Sequence, residues 1–192
     1  MSTASTNTLV APNRQVLPNA VLGTFVFILT EVMLFAGFLS AFAIAKSSIA
    51  EWPPPAQPRL PIEITGINTL GLLLSAYLIY LAGRRFSQQA SDAFRPLLGA
   101  LLLGGLFIVV QGAEWAALLH EGLALTTSTH AAFFYIIVGA HALHATAGLL
   151  VLALMLRRLG RGKLDAGGFW AGRVFWYFVV FLWPVLYWQV YL

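Results

Sequence analysis

Cysteine is absent from the 192 residues. Disulfides, thiolate metal sites and iron–sulfur clusters are thereby excluded. Charge is scarce too. Asp, Glu, Lys and Arg make up 9% of the chain, against about a quarter in a soluble domain. Hydrophobic residues reach 59%, and the mean hydropathy is +0.82. This balance belongs to a polytopic membrane protein. The formal net charge is +4. Lys and Arg fall mostly in short loops, where they act as topology signals and not as a nucleic-acid patch, so no nucleic-acid partner is expected. Neither a P-loop nor a dinucleotide fingerprint occurs, and nothing resembles a nucleophile triad.

What the chain does have is long apolar runs. About 20 residues suffice to cross a bilayer. Five stretches qualify, at approximately 20–45, 63–82, 96–119, 130–156 and 170–192. Between them lie the proline-rich EWPPPAQPRLP, the polar GRRFSQQASDAFRP and RRLGRGKLDAGG, and the short turn HEGLALTTST. Proline cannot continue a helix. Residues 126–129 offer N-cap hydroxyls to the fourth span. Residues 1–19 are polar and lack the ordered parts of a signal peptide. They are expected to form a disordered or surface-lying tail, with the first helix serving as its own insertion signal. The expected fold is all-α: a single domain, 20–192, forming a bundle of five transmembrane helices.

Loop charge predicts the direction of insertion. The second-to-third loop holds Arg84, Arg85 and Arg95. The fourth-to-fifth holds Arg157, Arg158, Arg161 and Lys163, with Arg173 at the next helix start. The first-to-second has Lys46 and Arg59, and the third-to-fourth has none. The positive-inside rule then makes the N-terminus cytoplasmic and the C-terminus periplasmic. Trp52, Trp115, Trp183 and Trp188 are placed near the outer boundary, as an aromatic belt.

Ionisable residues inside these runs are the candidate functional groups: Glu31, Glu114, His141 and His144. Each costs several kcal/mol at membrane depth, about 2.5–3.5 on insertion scales. From the cytoplasmic end, the helical rise puts Glu31 at roughly 16 Å, His144 at roughly 18 Å, His141 at roughly 22 Å and Glu114 at roughly 26 Å. Glu31 and His144 thus share the midplane. His141 and His144 are i, i+3 and lie on one helix face. A carboxylate–imidazole network among the first, third and fourth spans fits these depths, with Asn68, Thr69 and Gln111 as further polar members. The plainer reading is that these groups tie helices together by hydrogen bonds, each worth under about 1 kcal/mol in membranes. Both readings stand at this point. Glu31 argues most for function, because a midplane carboxyl is the costlier group.

Metal ligation fits poorly. A bis-histidine haem needs ligands on opposite sides of the iron, and His141 and His144 share one face. His130 and His144 would suit two stacked haems, but each then needs a partner on another span. The remaining histidine, His120, lies in a loop. Copper or zinc on His141, His144 and Glu31 would have few ligands.

Several ordered motifs resemble subunit III of the haem-copper oxidases over nearly the whole chain after about residue 20. Glu31-Val32-Met33-Leu34-Phe35-Ala36-Gly37-Phe38, continuing to Ser47-Ser48, is similar to that family's buried carboxylate followed by Phe- and Gly-rich helix. Trp52-Pro53-Pro54-Pro55 resembles its Trp-Pro-Pro loop. Pro61-Ile62-Glu63 with Asn68-Thr69 resembles the start of its next helix. Gln111-Gly112-Ala113-Glu114-Trp115 is similar to Gln-x-x-Glu-Tyr. The sharpest match is Phe133-Phe134, then Gly139-Ala140-His141-Ala142-Leu143-His144 and Gly148. One element departs. The family's Trp-His-Phe-Val-Asp-x-x-Trp is here Trp176-Tyr177-Phe178-Val179-Val180-Phe181-Leu182-Trp183.

The resemblance implies a five-helix form of the subunit in a bacterial inner membrane, without redox centres of its own. Haem and copper are expected in partner subunit I, and copper in subunit II where cytochrome c is the electron donor. Implied partners are subunit I as main contact, subunit II and membrane phospholipid. The implied complex reduces oxygen and pumps protons, with this subunit supporting assembly, proton uptake and endurance during turnover. The altered last helix keeps an accessory protein of nitric oxide reductases as an alternative, and a small unrelated transporter as another.

Overall fold

A computed structural model describes residues 19–48, 60–126 and 128–192. The expected N-terminal tail and the Trp-Pro-Pro loop, with Trp52, lie outside the described residues. Five helices run in the order α1 (Asn19–Ser47), α2 (Ile62–Phe86), α3 (Phe94–His120), α4 (Thr129–Gly160) and α5 (Ala166–Tyr191). A single 3-10 turn, Ala90–Ala93, precedes α3. All five helices are long and apolar enough to span a membrane. In hydrocarbon no water pairs with backbone N–H and C=O groups, so a continuous apolar run must close its own hydrogen bonds as a helix.

The helices overrun the expected spans mainly where arginines end them. α2 extends through Arg84 and Arg85, and α4 through Arg157 and Arg158. Their cations complement the negative end of the helix dipole and reach past the hydrocarbon on flexible stems. Side chains define the starts. Ser128 Oγ accepts the Ala131 N–H at 3.0 Å, and Asp165 Oδ2 accepts the Gly168 N–H at 2.9 Å. Burial plays little part in the second cap. Its backbone N–H bonds, that of Gly168 foremost, hold the exposed Asp165 carboxyl below its ordinary range. Two helices stop on glycine. Gly122 and Gly162 adopt φ of 92° and 65°. The next N–H turns back to a carbonyl five residues earlier: Leu123 to Leu118, and Lys163 to Arg158, both at 2.9 Å.

Packing separates α1 from the rest. Helices α2, α3, α4 and α5 form a closed ring, each touching the next and α5 returning to α2. α1 lies outside the ring and packs on α4 and α5 alone among the described helices. Its buried side chains are Val21, Phe35 and Phe42. Met33 and Ile44, at 69% and 71% exposure, belong to a face that no described helix covers.

Trp183 is not part of a boundary belt. It is fully buried, and its Nε1–H donates to Thr69 Oγ1 at 2.9 Å. Two turns earlier on α5, Trp176 donates to Ser75 Oγ at 3.1 Å. Because α2 and α5 run antiparallel, Trp176 and Trp183 meet Ser75 and Thr69 in reverse order. Trp188 is 70% exposed, as a belt residue would be.

Candidate functional site

The polar residues separate into two groups. The first joins α1 to α4. His144 Nε2 lies 2.9 Å from Glu31 Oε2, with the two side chains 13% and 15% exposed. His144 Nδ1 lies 2.8 Å from the Ala140 carbonyl oxygen. A carbonyl only accepts, so Nδ1 carries a hydrogen. One more proton then sits between Nε2 and Oε2, whether drawn as imidazolium–carboxylate or as imidazole–carboxylic acid. Both forms are neutral overall. That is the state that lets two ionisable groups remain at membrane depth.

Aromatic rings flank the histidine of this pair. Phe35 stands edge-on to the His144 ring at 5.4 Å, and Phe178 at 6.4 Å. Phe35 also contacts Phe38 at 6.2 Å. The two rings beside His144 lower the local dielectric, which strengthens the pair's attraction.

The second group lies inside the ring of four helices. His141 is buried, with its ring 4.9 Å from Trp183 and 6.5 Å from Phe107. Neither ring nitrogen meets a hydrogen-bond partner among the described residues. A cavity of about 80 Å³ lies beside it, bordered also by Gln111 and Val138. Asn68 Nδ2 donates to the Phe107 carbonyl at 3.0 Å, tying α2 to α3. Gln111 Nε2 donates to the Tyr191 hydroxyl at 2.9 Å, tying α3 to α5 across the ring.

The expected three-span network is therefore divided. Three residues along a helix turn the side chain by about 60° from its predecessor's line. α4 is wedged between α1 and α3, so that turn sends His144 outward to α1 and His141 inward. Glu114 lies half-buried on α3, which does not touch α1. Sequence reading missed Ser75, Trp176 and the inward role of Trp183. The available signal was two tryptophans seven apart on α5 opposite small hydroxyls six apart on α2.

Among the described residues no three His, Asp or Glu side chains come together as a metal site. The donor set argues the same way. His144 has both nitrogens engaged, and His141 lies in the apolar interior with its ring tilted 31° to that of Trp183. These residues do not fit haem or copper.

The model of the family described as cytochrome c oxidase subunit III matches residues 5–192. The chain belongs to the cytochrome c oxidase subunit III family. It is 30% identical over 199 residues to a probable cytochrome c oxidase subunit 3 of Mycobacterium leprae, covering 100% of this chain and 95% of that one. A probable subunit 3 of Nocardia farcinica is 30% identical over 183 residues, covering 91% and 88%. A cytochrome c oxidase subunit 3 of Synechocystis is 29% identical over 175 residues, covering 88% and 74%. As a member of this family, the chain is a multi-pass membrane protein associated with an oxidase complex. Within that subunit III frame, the last helix absorbs its altered positions in apolar packing. Val180 is buried, and Tyr177 is half-buried with its ring 6.0 Å from Phe181.

Proposed function

We propose that this chain is subunit III of a proton-pumping haem-copper terminal oxidase in a bacterial inner membrane. It contributes no redox centre. It stabilises the assembled complex, holds phospholipid and sustains proton uptake through repeated turnover. Haem and copper belong to subunit I, and copper to subunit II where cytochrome c is the donor. The N-terminus is on the cytoplasmic side and the C-terminus on the periplasmic side.

The Glu31–His144 pair carries this reading. It is a one-proton store at mid-depth, formed by the carboxyl of the first span and the last histidine of the Gly-x-His-x-x-His element. α1 presents it from outside the four-helix ring, on the helix whose apolar stretch is the least buried of the described spans. Subunit I and lipid are the natural occupants of that surface. His144 orients the Glu31 carboxyl through Nε2 and is itself fixed through Nδ1. The pair can pass or accept a proton at Oε2 with little change of geometry.

Deleting the gene tests this. The remaining haem-copper enzyme should keep normal haem spectra but assemble less completely or inactivate sooner during turnover. An unchanged enzyme population in the deletion strain overturns the reading.

A further inference from the structure

Inside the four-helix ring, Phe107 and Gln111 of α3, Val138 and His141 of α4, and Trp183 of α5 border a cavity of about 80 Å³. His141 is 1% exposed and Gln111 4%. Both ring nitrogens of His141 and Oε1 of Gln111 are buried with no hydrogen-bond partner among the described residues. We infer that this cavity is a hydration site, holding water hydrogen-bonded to the His141 ring and the Gln111 amide.

The unmet groups define the ligand. Glu31 is already paired with His144. An imidazolium at His141 would have no counter-charge at membrane depth, so this ring is neutral, with one N–H donor and one acceptor nitrogen. Gln111 Nε2 donates to the Tyr191 hydroxyl at 2.9 Å, which leaves Oε1 as an acceptor. With the amide reversed, Tyr191 would donate to Oε1, and Nε2 would be the atom left over. One end of the amide is unmet in either orientation. The site therefore asks for a small neutral molecule that both donates and accepts. Water does both. A hydrocarbon tail does neither and would leave all three atoms orphaned. A metal ion would find one imidazole nitrogen and one amide oxygen, too few ligands for a site.

Size and position agree. A buried water needs at least about 10–15 Å³ of cavity, so the space admits more than one. Nδ1 and Nε2 point in different directions from the ring, so each takes its own water. Trp183 lies 4.9 Å from the imidazole and Phe107 stands edge-on at 6.5 Å, which holds the ring plane. Gln111 is about 14 Å from the His120 end of α3, less than half of the roughly 30 Å hydrocarbon core. The two histidines of α4 thus differ in kind. His144 is satisfied by protein atoms alone, and His141 by solvent.

This inference rests on the packing of α3, α4 and α5 and not on the proposed oxidase role, so its failure leaves that role untouched. X-ray radiolysis of a bound water releases a hydroxyl radical in place, and the radical modifies the nearest side chains even when they are buried. The full chain, in whatever complex it purifies with, is irradiated in mild detergent, and its peptides are read by mass spectrometry. Trp183 borders the cavity, whereas Trp176, as deeply buried, does not. Trp183 should be modified severalfold faster than Trp176. Equally slow rates at the two tryptophans mean a dry cavity and overturn the site. The Gln111→Leu/His141→Phe variant replaces both polar side chains with apolar ones of similar size. Its Trp183 rate should drop to that of Trp176. Trp188, 70% exposed, reports folding, because Trp176 approaches its rate only when the bundle opens. A folded variant in which Trp183 stays as reactive as in wild type overturns the assignment to His141 and Gln111. If the variant unfolds, the wild-type comparison of Trp183 with Trp176 decides alone.

Discussion

His144 of α4 and Glu31 of α1 meet at 2.9 Å, 113 residues apart in sequence, through Nε2 and Oε2. This contact joins the outlying helix to the four-helix ring at its most polar point. Since Nδ1 is already committed to the Ala140 carbonyl, the pair is neutral with one shared proton, and it has a defined response to each change of side chain.

Glu31→Gln keeps the shape, and its amide can donate to Nε2. The complex should assemble and reduce oxygen, but lose activity sooner in sustained turnover or take up protons more slowly. Glu31→Leu leaves Nε2 unpaired and should destabilise the chain by about 1–3 kcal/mol. Glu31→Leu with His144→Leu removes both partners, so its loss should fall short of the summed single losses by about 0.5–3 kcal/mol. Thermal denaturation in detergent reads the coupling, and oxygen consumption with time reads the lifetime. If Glu31→Gln matches wild type in lifetime and pumping, the pair is a structural tie only.

Adjacent glycines give a sharp contrast. A Cβ on Gly104 would meet Trp176 Cη2 at 2.6 Å and Leu149 Cδ2 at 2.9 Å, whereas one on Gly105 would meet nothing within 4 Å. Trp176 is held by Ser75 and cannot swing away freely. Gly104→Ala should cost about 1–3 kcal/mol by overpacking. Gly105→Ala should be neutral or stabilise by up to about 1 kcal/mol through helix propensity. Melting temperatures of the two variants side by side check this.

Asp165 predicts a pH response at the start of α5. Its folded-state value lies below the ordinary 3.8, chiefly through the Gly168 N–H. A depressed carboxyl stabilises fully above its unfolded value, and that contribution is lost as pH falls through the folded value. Amide protection in the first turn of α5, corrected for intrinsic exchange, should therefore be constant at neutral pH and fall below about pH 4 relative to the rest of the helix. Asp165→Asn keeps a capping oxygen without the charge and should abolish the acid-side change.

Topology follows from loop charge. A C-terminal alkaline phosphatase fusion should be active and a C-terminal fluorescent protein dark, because the arginine-rich loops retain the cytoplasmic side. The reverse pattern would invert the predicted orientation.

The five helices were legible because bilayer thickness and backbone satisfaction act on continuous apolar runs, with no need of tertiary information. Their ends were less so, since Arg84, Arg85, Arg157 and Arg158 are polar yet remain helical. The shared depth of Glu31 and His144 could be counted along the chain from helical rise. Which way each histidine turned could not. That depended on α1 standing outside the ring, a packing fact with no local signature. Trp183 misled for the same reason. A tryptophan near a span's end suits the interface, but here Thr69 offers an acceptor inside the bundle.

The most direct test of the account is the company this chain keeps. Affinity-tagged at the C-terminus and purified from native membranes in mild detergent, it should bring down a haem-containing subunit I with oxygen-reducing activity, and the isolated chain separated from it should show no stoichiometric haem or copper. Purification without any haem-copper subunit, or with redox metal bound to this chain alone, would contradict the account.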